Sequence, residues 1–281
     1  MYVSALHIFP IKGCGGFTPA FSAVEPWGLQ GDRRWMVVDR SGRFITQRSH
    51  PHMARIGAAL AAGGITLNAP GRPPIFVPTP AATAPLIEST IWRDSVPARL
   101  AGADANAWIS EALGEVCRLV HLADTAARPI DPAHARPGET VSFADGFPLL
   151  LTSLASLADL NHRLAVPVPI TRFRGNLVIA GAAPWAEDRW QVIRIGSAIF
   201  RVAKPCERCL VTTIDQRTGD RPDKEEPLRT LASFRRDARG LMFGQNLVPE
   251  HPGRVAVGDR IDVLQAGPAN VRLLAAQPNP A

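Results

Sequence analysis

Turn signals recur through the N-terminal third of this chain more closely than long helices allow. Asp39-Arg40-Ser41-Gly42 separates the β-prone runs 34–38 and 44–47, and Ala69-Pro70-Gly71-Arg72 separates 65–68 from 75–77. A third turn at 93–95 separates 90–92 from 96–100. Each run is short, carries β-branched, aliphatic or aromatic residues, and ends at Gly, Pro, Asp or Ser, so the spacing predicts successive hairpins. Hairpins this dense suggest a barrel or sandwich.

The rest of the chain adds a few helices to the β pattern. A first strand over 2–9 stops at Pro10 and the glycines of 13–16. A helix is expected over 103–113, a strand over 117–122, and a Pro- and Ala-rich loop over 123–140. The best helix is 152–164, with Ser153 as N-cap and Leu154, Leu157, Leu160 and Leu164 at helical spacing. Strands follow at 176–180, 190–195 and 198–202, the last two joined by Gly196-Ser197. A strand at 210–214, a helix at 225–234, a hairpin over 255–264 around Gly258-Asp259 and a loose tail over 265–281 complete the reading. The predicted class is mainly β with some α. Regular strand–helix alternation is missing, as are G-x-G-x-x-G and G-x-x-x-x-G-K-[ST], which argues against dinucleotide and P-loop chemistry.

At 281 residues and 46% apolar composition, the chain can bury a sizeable core without disulfides. All but three of its 31 basic residues are arginine, and the net charge of +6 is modest. With one tyrosine and no strand of interleaved aromatic and basic residues, a nucleic-acid partner is not expected. Cys14, Cys117, Cys206 and Cys209 are too few and too unevenly spaced for a secreted disulfide framework. The most apolar stretch, 149–160, is interrupted by Thr152, Ser153, Ser156 and Asp159 and is too short to span a bilayer. A cytoplasmic protein without a membrane partner is expected.

The sharpest chemical feature is Lys204-Pro205-Cys206-Glu207-Arg208-Cys209, set between two β-prone runs. Pro205 is expected to stop ladder pairing there. Lys204 and Arg208 put positive charge beside both sulfurs, which favours thiolate. Four readings fit the C-x-x-C: half of a zinc site, a redox pair, an inert pair near a core, or one thiolate on a soft metal with neighbouring bases holding an anion. Three further basic segments share that last character. Lys12-Gly13 lies in a Gly-rich turn, where backbone N–H groups can approach a phosphate. In Asp32-Arg33-Arg34 the carboxylate can orient one guanidinium while the other meets an anion. In Arg172-Phe173-Arg174-Gly175-Asn176, Arg174 suits an anion and Asn176 the edge of a heterocycle.

Taken in order, F-P-I-K-G, G-D-R-R-W, F-R-G-N-L-V-I, A-E-D-R-W, K-P-C-E-R-C-L-V-T-T-I-D and F-G-Q-N resemble the MOSC-domain proteins. The resemblance is to the branch with an N-terminal MOSC β-barrel region, which includes the amidoxime-reducing components. It spans residue 2 to about residue 264, nearly the whole chain. It implies an N-terminal β-barrel region over 1–115 packed against a MOSC β-barrel domain over 116–265, with a flexible tail over 266–281.

The same resemblance implies a molybdenum-molybdopterin cofactor between the two regions, with Cys209 as the metal ligand and Cys206 beside the site. Cofactor binding is implied for Lys12, Gly13, Arg33, Gly146, Phe147, Arg174, Asn176, Glu207 and Arg208. Two positions depart from the family pattern. Gly13 stands where serine is common, and Glu207 stands where a small or neutral residue is common, so its carboxylate is expected to face solvent or pair with Lys204 or Arg208.

The implied activity is two-electron reduction of N-hydroxylated compounds such as amidoximes and hydroxylamines. Electrons would come from a separate reductase or carrier, because no ferredoxin-like cysteine cluster accompanies the domain. The alternative is a cofactor or sulfur carrier without turnover. His50 and His52 are proton-donor candidates by residue type alone.

Overall fold

The computed structural model describes residues 1–123 and 128–274. Its largest element is an eight-stranded sheet. The order is Tyr2–Leu6, Leu177–Ala180, Leu149–Ser153, Gly240–His251, Ala198–Glu207, Trp190–Ile195 and Ile261–Ala266, with the short strand Arg236–Asp237 added beside Gly240–His251. A four-stranded sheet runs Trp35–Val38, Arg118–Leu122, Asp94–Leu100, Leu86–Ile91. Two three-stranded sheets complete the β structure: Gly253–Ala256 with Phe21–Glu25 and Gly28–Leu29, and the meander Gly57–Ala61, Gly64–Ala69, Arg72–Pro78. The α-helices are Ala103–Leu113, Leu154–Asn161 and Leu228–Phe234. The fold is mainly β with some α, as the turn spacing predicts.

Local chemistry explains the hairpins. Asp39 accepts the N–H groups of Ser41 and Arg43 at 2.8 and 3.0 Å, and Gly42 takes φ +87 to close the turn. The second arm is shorter than expected: Phe44 makes a single bridge to Val38, and the Ile45 N–H bonds Val37 O. The helix predicted from 152 begins at Leu154, because Thr152 and Ser153 finish a strand and the Ser153 side chain then caps Ser156 N at 3.4 Å.

Four sequence expectations fail for tertiary reasons. Pro205 does not end its strand; Ala198–Glu207 runs through it, and register shifts on either side absorb the missing N–H. Residues expected as a strand at 210–214 form the 3-10 turn Leu210–Thr213. The expected hairpin at 255–264 turns at Gly258, but its arms join different sheets, one against Phe21–Glu25 and the other against Trp190–Ile195. The stretch after Ala266 is pinned as far as Leu274. Gly267, Asn270 and Leu274 donate backbone N–H groups to Arg189, Asp188 and Arg236, and the expectation for 275–281 lies outside the described residues.

Two apolar cores flank the middle of the molecule. Leu6, Leu151, Leu177, Ile193, Phe200 and Leu247 fill the one under the large sheet. Ile11, Val37, Met53, Ile65, Trp108 and Leu119 fill the other. Tyr2–Leu6 leaves the N-terminal region to pair antiparallel with Leu177–Ala180, so the chain stitches the two together before either is complete. Lys12 and Arg33 sit where chain leaves one core for the other.

Candidate active site

A cavity of about 380 Å³ opens between the two cores. Its wall brings together all ten site residues expected from sequence: Lys12, Gly13, Arg33, Gly146, Phe147, Arg174, Asn176, Glu207, Arg208 and Cys209. Cys206, Arg48, Lys204, Asp145 and Trp92 line it too. Six cations therefore face two carboxylates.

Lys12 is placed by its neighbour: Ile11 is fully buried, and the Lys12 N–H bonds Trp35 O at 2.8 Å. Its ammonium meets Asp145 Oδ1 at 2.5 Å. Burial lowers the Lys12 pKa to about 8 although Asp145 pulls it back up. Lys12, then Arg33 and Arg48, hold the Asp145 carboxyl well below the usual carboxylate range. Asp145 keeps 74% of its side-chain surface open, so an incoming anion meets it directly. Sequence reasoning missed this residue because its partner lies 133 positions away. Arg128, almost fully buried, accounts for the local path by donating to the carbonyls of Ser142, Ala144 and Asp145.

Half of the Asp32-Arg33-Arg34 expectation holds: the carboxylate orients Arg33, which faces the cavity, while Arg34 lies over the Trp27 ring at 5.4 Å and is outside the cavity wall. Asp32 Oδ2 takes Arg33 Nη1 at 2.6 Å while Oδ1 accepts the Phe9 N–H at 2.8 Å. Arg33 also donates to Asn176 Oδ1 at 3.0 Å and lies over the Phe9 ring at 4.6 Å. Arg174 covers the same ring at 4.2 Å and donates to Cys14 O and Gln216 Oε1. Burial, with Arg33 beside it, lowers the Arg174 pKa to about 10. Both arginines adopt left-handed backbone, φ 47 and 52, which orders two long side chains at a strained cost. Asn176 differs from expectation. Its amide accepts from Arg33 and Leu150 N–H and donates to His7 O, so it positions Arg33 and has little left for a heterocycle.

The two thiols are served by different cations. Arg208 Nη1 lies 2.9 Å from Cys206 Sγ, and Arg48 Nη2 lies 3.2 Å from Cys209 Sγ. Lys204, expected beside the sulfurs, instead approaches the Phe147 ring at 5.8 Å. Arg208 Nη2 donates to Phe173 O, but its buried Nε has no partner. Glu207 is exposed, packs over Gly240 and forms no ion pair among the described residues. Cys14 and Cys117 are buried in the N-terminal core. Among the described residues no group of three His, Cys, Asp or Glu is arranged to hold a metal ion by itself. His50 and His52 lie outside the cavity wall, and His50 pairs with Glu115 at 3.3 Å.

Residues 1–116 match the model of the MOSC N-terminal beta barrel domain, and residues 138–262 match that of the MOSC domain. The chain belongs to the MOSC-domain family. Within it, the chain is 36% identical to mitochondrial amidoxime-reducing component 1 of Mus musculus, over 93% of this chain and 82% of that protein. The corresponding Homo sapiens protein is 32% identical with the same coverage. A molybdenum cofactor sulfurase of Oryza sativa is 30% identical over 87% of this chain but only 32% of its own length. An association with the molybdenum cofactor is thus a property of the family this MOSC protein joins. No helix among the described residues is long and apolar enough to cross a membrane.

The residues present fit such a cofactor. A molybdopterin carries a phosphate and a sulfur-bound metal; here six cations line a cavity that also holds the thiols of Cys206 and Cys209, and the buried Arg208 Nε still lacks an acceptor.

Proposed function

We propose that this protein is a molybdenum-cofactor-dependent reductase of N-hydroxylated compounds, amidoximes and hydroxylamines among them. The observation that carries the reading is the accessible thiol of Cys209 in the wall of a cavity whose charged lining is six cations against two carboxylates. When bound, the cofactor supplies the two-electron chemistry that removes oxygen from nitrogen as water. The chain supplies the rest. Lys12, Arg33, Arg174 and Arg208 neutralise the anion, and Asn176 holds Arg33 toward it. Gly13, Gly146, Phe147 and Glu207 contribute backbone surface, and Cys209 is the protein's metal ligand. Arg48 orients the Cys209 sulfur. Electrons come from a separate carrier protein or reductase.

The similarity to a cofactor sulfurase supports a second reading, in which the same cavity holds or passes on cofactor or sulfur without reducing a substrate. One experiment separates the two. Protein made in a host that synthesises the pterin is analysed for molybdenum and oxidised-pterin fluorescence, then given benzamidoxime and an artificial electron donor. Metal and pterin near one per chain with benzamidine formed is the expected result. Loaded protein that forms no benzamidine would favour the carrier, and protein carrying neither group would overturn both.

A further inference from the structure

Beside the cavity lies a second, open groove of about 630 Å³. The two hollows share a wall made of Phe44, Ile45, Thr46, Arg48 and Trp92. The groove has the size of a small-molecule site and leads to Cys209 through a single side chain. That side chain is Arg48, whose guanidinium lies 4.7 Å from the centre of the Trp92 ring and 3.2 Å from Cys209 Sγ. Arg48 forms no ion pair among the described residues, so most of its N–H donors remain for a ligand.

Trp92 is the unusual member. It occupies the first position of the two-residue turn between Leu86–Ile91 and Asp94–Leu100, with φ 56. Glycine is the usual occupant of such a position, and a tryptophan there is strained. The residue is nonetheless 38% exposed, so part of the indole stays open to a ligand. Its ring meets Phe44 edge-on at 4.9 Å, leaving an aromatic corner at the junction of groove and cavity. Lys12 Nζ approaches the same two rings at 5.8 and 5.5 Å, from the cavity side.

We propose that this groove is the recognition site for the organic body of the substrate. Trp92 is its specificity-determining residue, and Arg48 bridges the substrate's N–O end to the metal-binding thiol. The preferred substrates are compounds whose N-hydroxylated group is attached to a flat aromatic or conjugated body that packs on Trp92 and Phe44. Small aliphatic hydroxylamines lack that body and gain nothing from the corner. The proposal rests on the reductase reading for the identity of the N–O end; the aromatic corner itself does not.

Binding of benzamidoxime is measured by calorimetry on the cofactor-free and the loaded chain, for wild type, Trp92→Gly and Trp92→Phe. Trp92→Gly relieves the backbone strain and should keep a cooperative melting transition. Its dissociation constant should rise about tenfold or more in both forms, with Trp92→Phe recovering most of the loss. In the loaded enzyme, kcat/KM for benzamidoxime should fall in parallel, and about tenfold more than that for hydroxylamine. Unchanged benzamidoxime affinity in a folded Trp92→Gly protein, or no binding by wild type, overturns the proposal. Trp92-dependent binding without reduction would sink the reductase reading and leave the groove. Reduction with the same KM in Trp92→Gly would do the reverse.

Discussion

Arg48 Nη2 donates to Sγ of Cys209 across 161 residues of sequence. The donor comes from the N-terminal region and the sulfur from the strand end of the large sheet, so the thiol environment exists only when both regions are assembled. Arg208, two residues from Cys206, serves that sulfur instead. A C-x-x-C that looks symmetrical in sequence is therefore unsymmetrical in space, with each sulfur facing a cation of different origin.

That asymmetry predicts unequal mutants. Cys209→Ser should lose nearly all retained molybdenum and all reductase activity, whereas Cys206→Ser should retain most metal. Metal analysis on both purified variants decides it, and equal loss would rule out a single ligand.

Lys12 makes anion binding pH-dependent. Its ammonium is charged below about 8, so affinity of the unloaded cavity for inorganic phosphate should fall as pH rises through that value. Stability moves the other way. Above about 8 the folded Lys12 has lost its proton while the unfolded side chain, near its ordinary value of 10.5, still holds one. The unfolded state then binds more protons, and the Lys12 contribution to stability rises with pH across that window. Calorimetric titration with phosphate and denaturant melts of wild type against Lys12→Met should show both trends, each absent from the variant.

Gly13→Ser restores the residue common in the family but should not help this chain. Gly13 has φ +81, and a Cβ there would sit 3.2 Å from Met53 Cε. A destabilisation of about 1–2 kcal/mol is expected in denaturant melts. A neutral or stabilised variant would show that the turn relaxes.

Glu187 offers a test remote from the cavity. It is fully buried, Ser156 Oγ donates to its Oε1 at 2.6 Å, and Oε2 has no partner. Burial raises its pKa from 4.5 to about 7, outweighing the Ser156 hydrogen bond. Between those values the folded state holds a proton the unfolded state has lost, so stability falls as pH rises. Glu187→Gln should flatten that slope and gain up to about 3 kcal/mol over wild type near pH 8. Parallel slopes for the two proteins would refute the assignment.

What could be read from the chain was whatever its chemistry decides locally. The turn at Asp39–Gly42 is made by an Asp side chain bonding its own next residues and by one glycine at positive φ. Ser153 caps a helix three residues away, and Asp32 orients the arginine beside it. The strand Gly240–His251 was not legible, since Gly240, Gly244 and Pro249 break its pattern; only the neighbours on both sides hold it extended.

The site divides along the same line. Lys12, Arg33, Arg174, Arg208 and Cys209 announce themselves by residue type and by the motifs that carry them. Asp145, Arg48 and Trp92 do not, because each acquires its role from a side chain or a hollow supplied by distant chain. The sequence by itself determined where the chain turns and which residues can carry charge or sulfur, since those depend on backbone φ and contacts within a few residues. Only the tertiary structure decided which cation faces which thiol, because packing two cores against each other sets the path of every side chain between them.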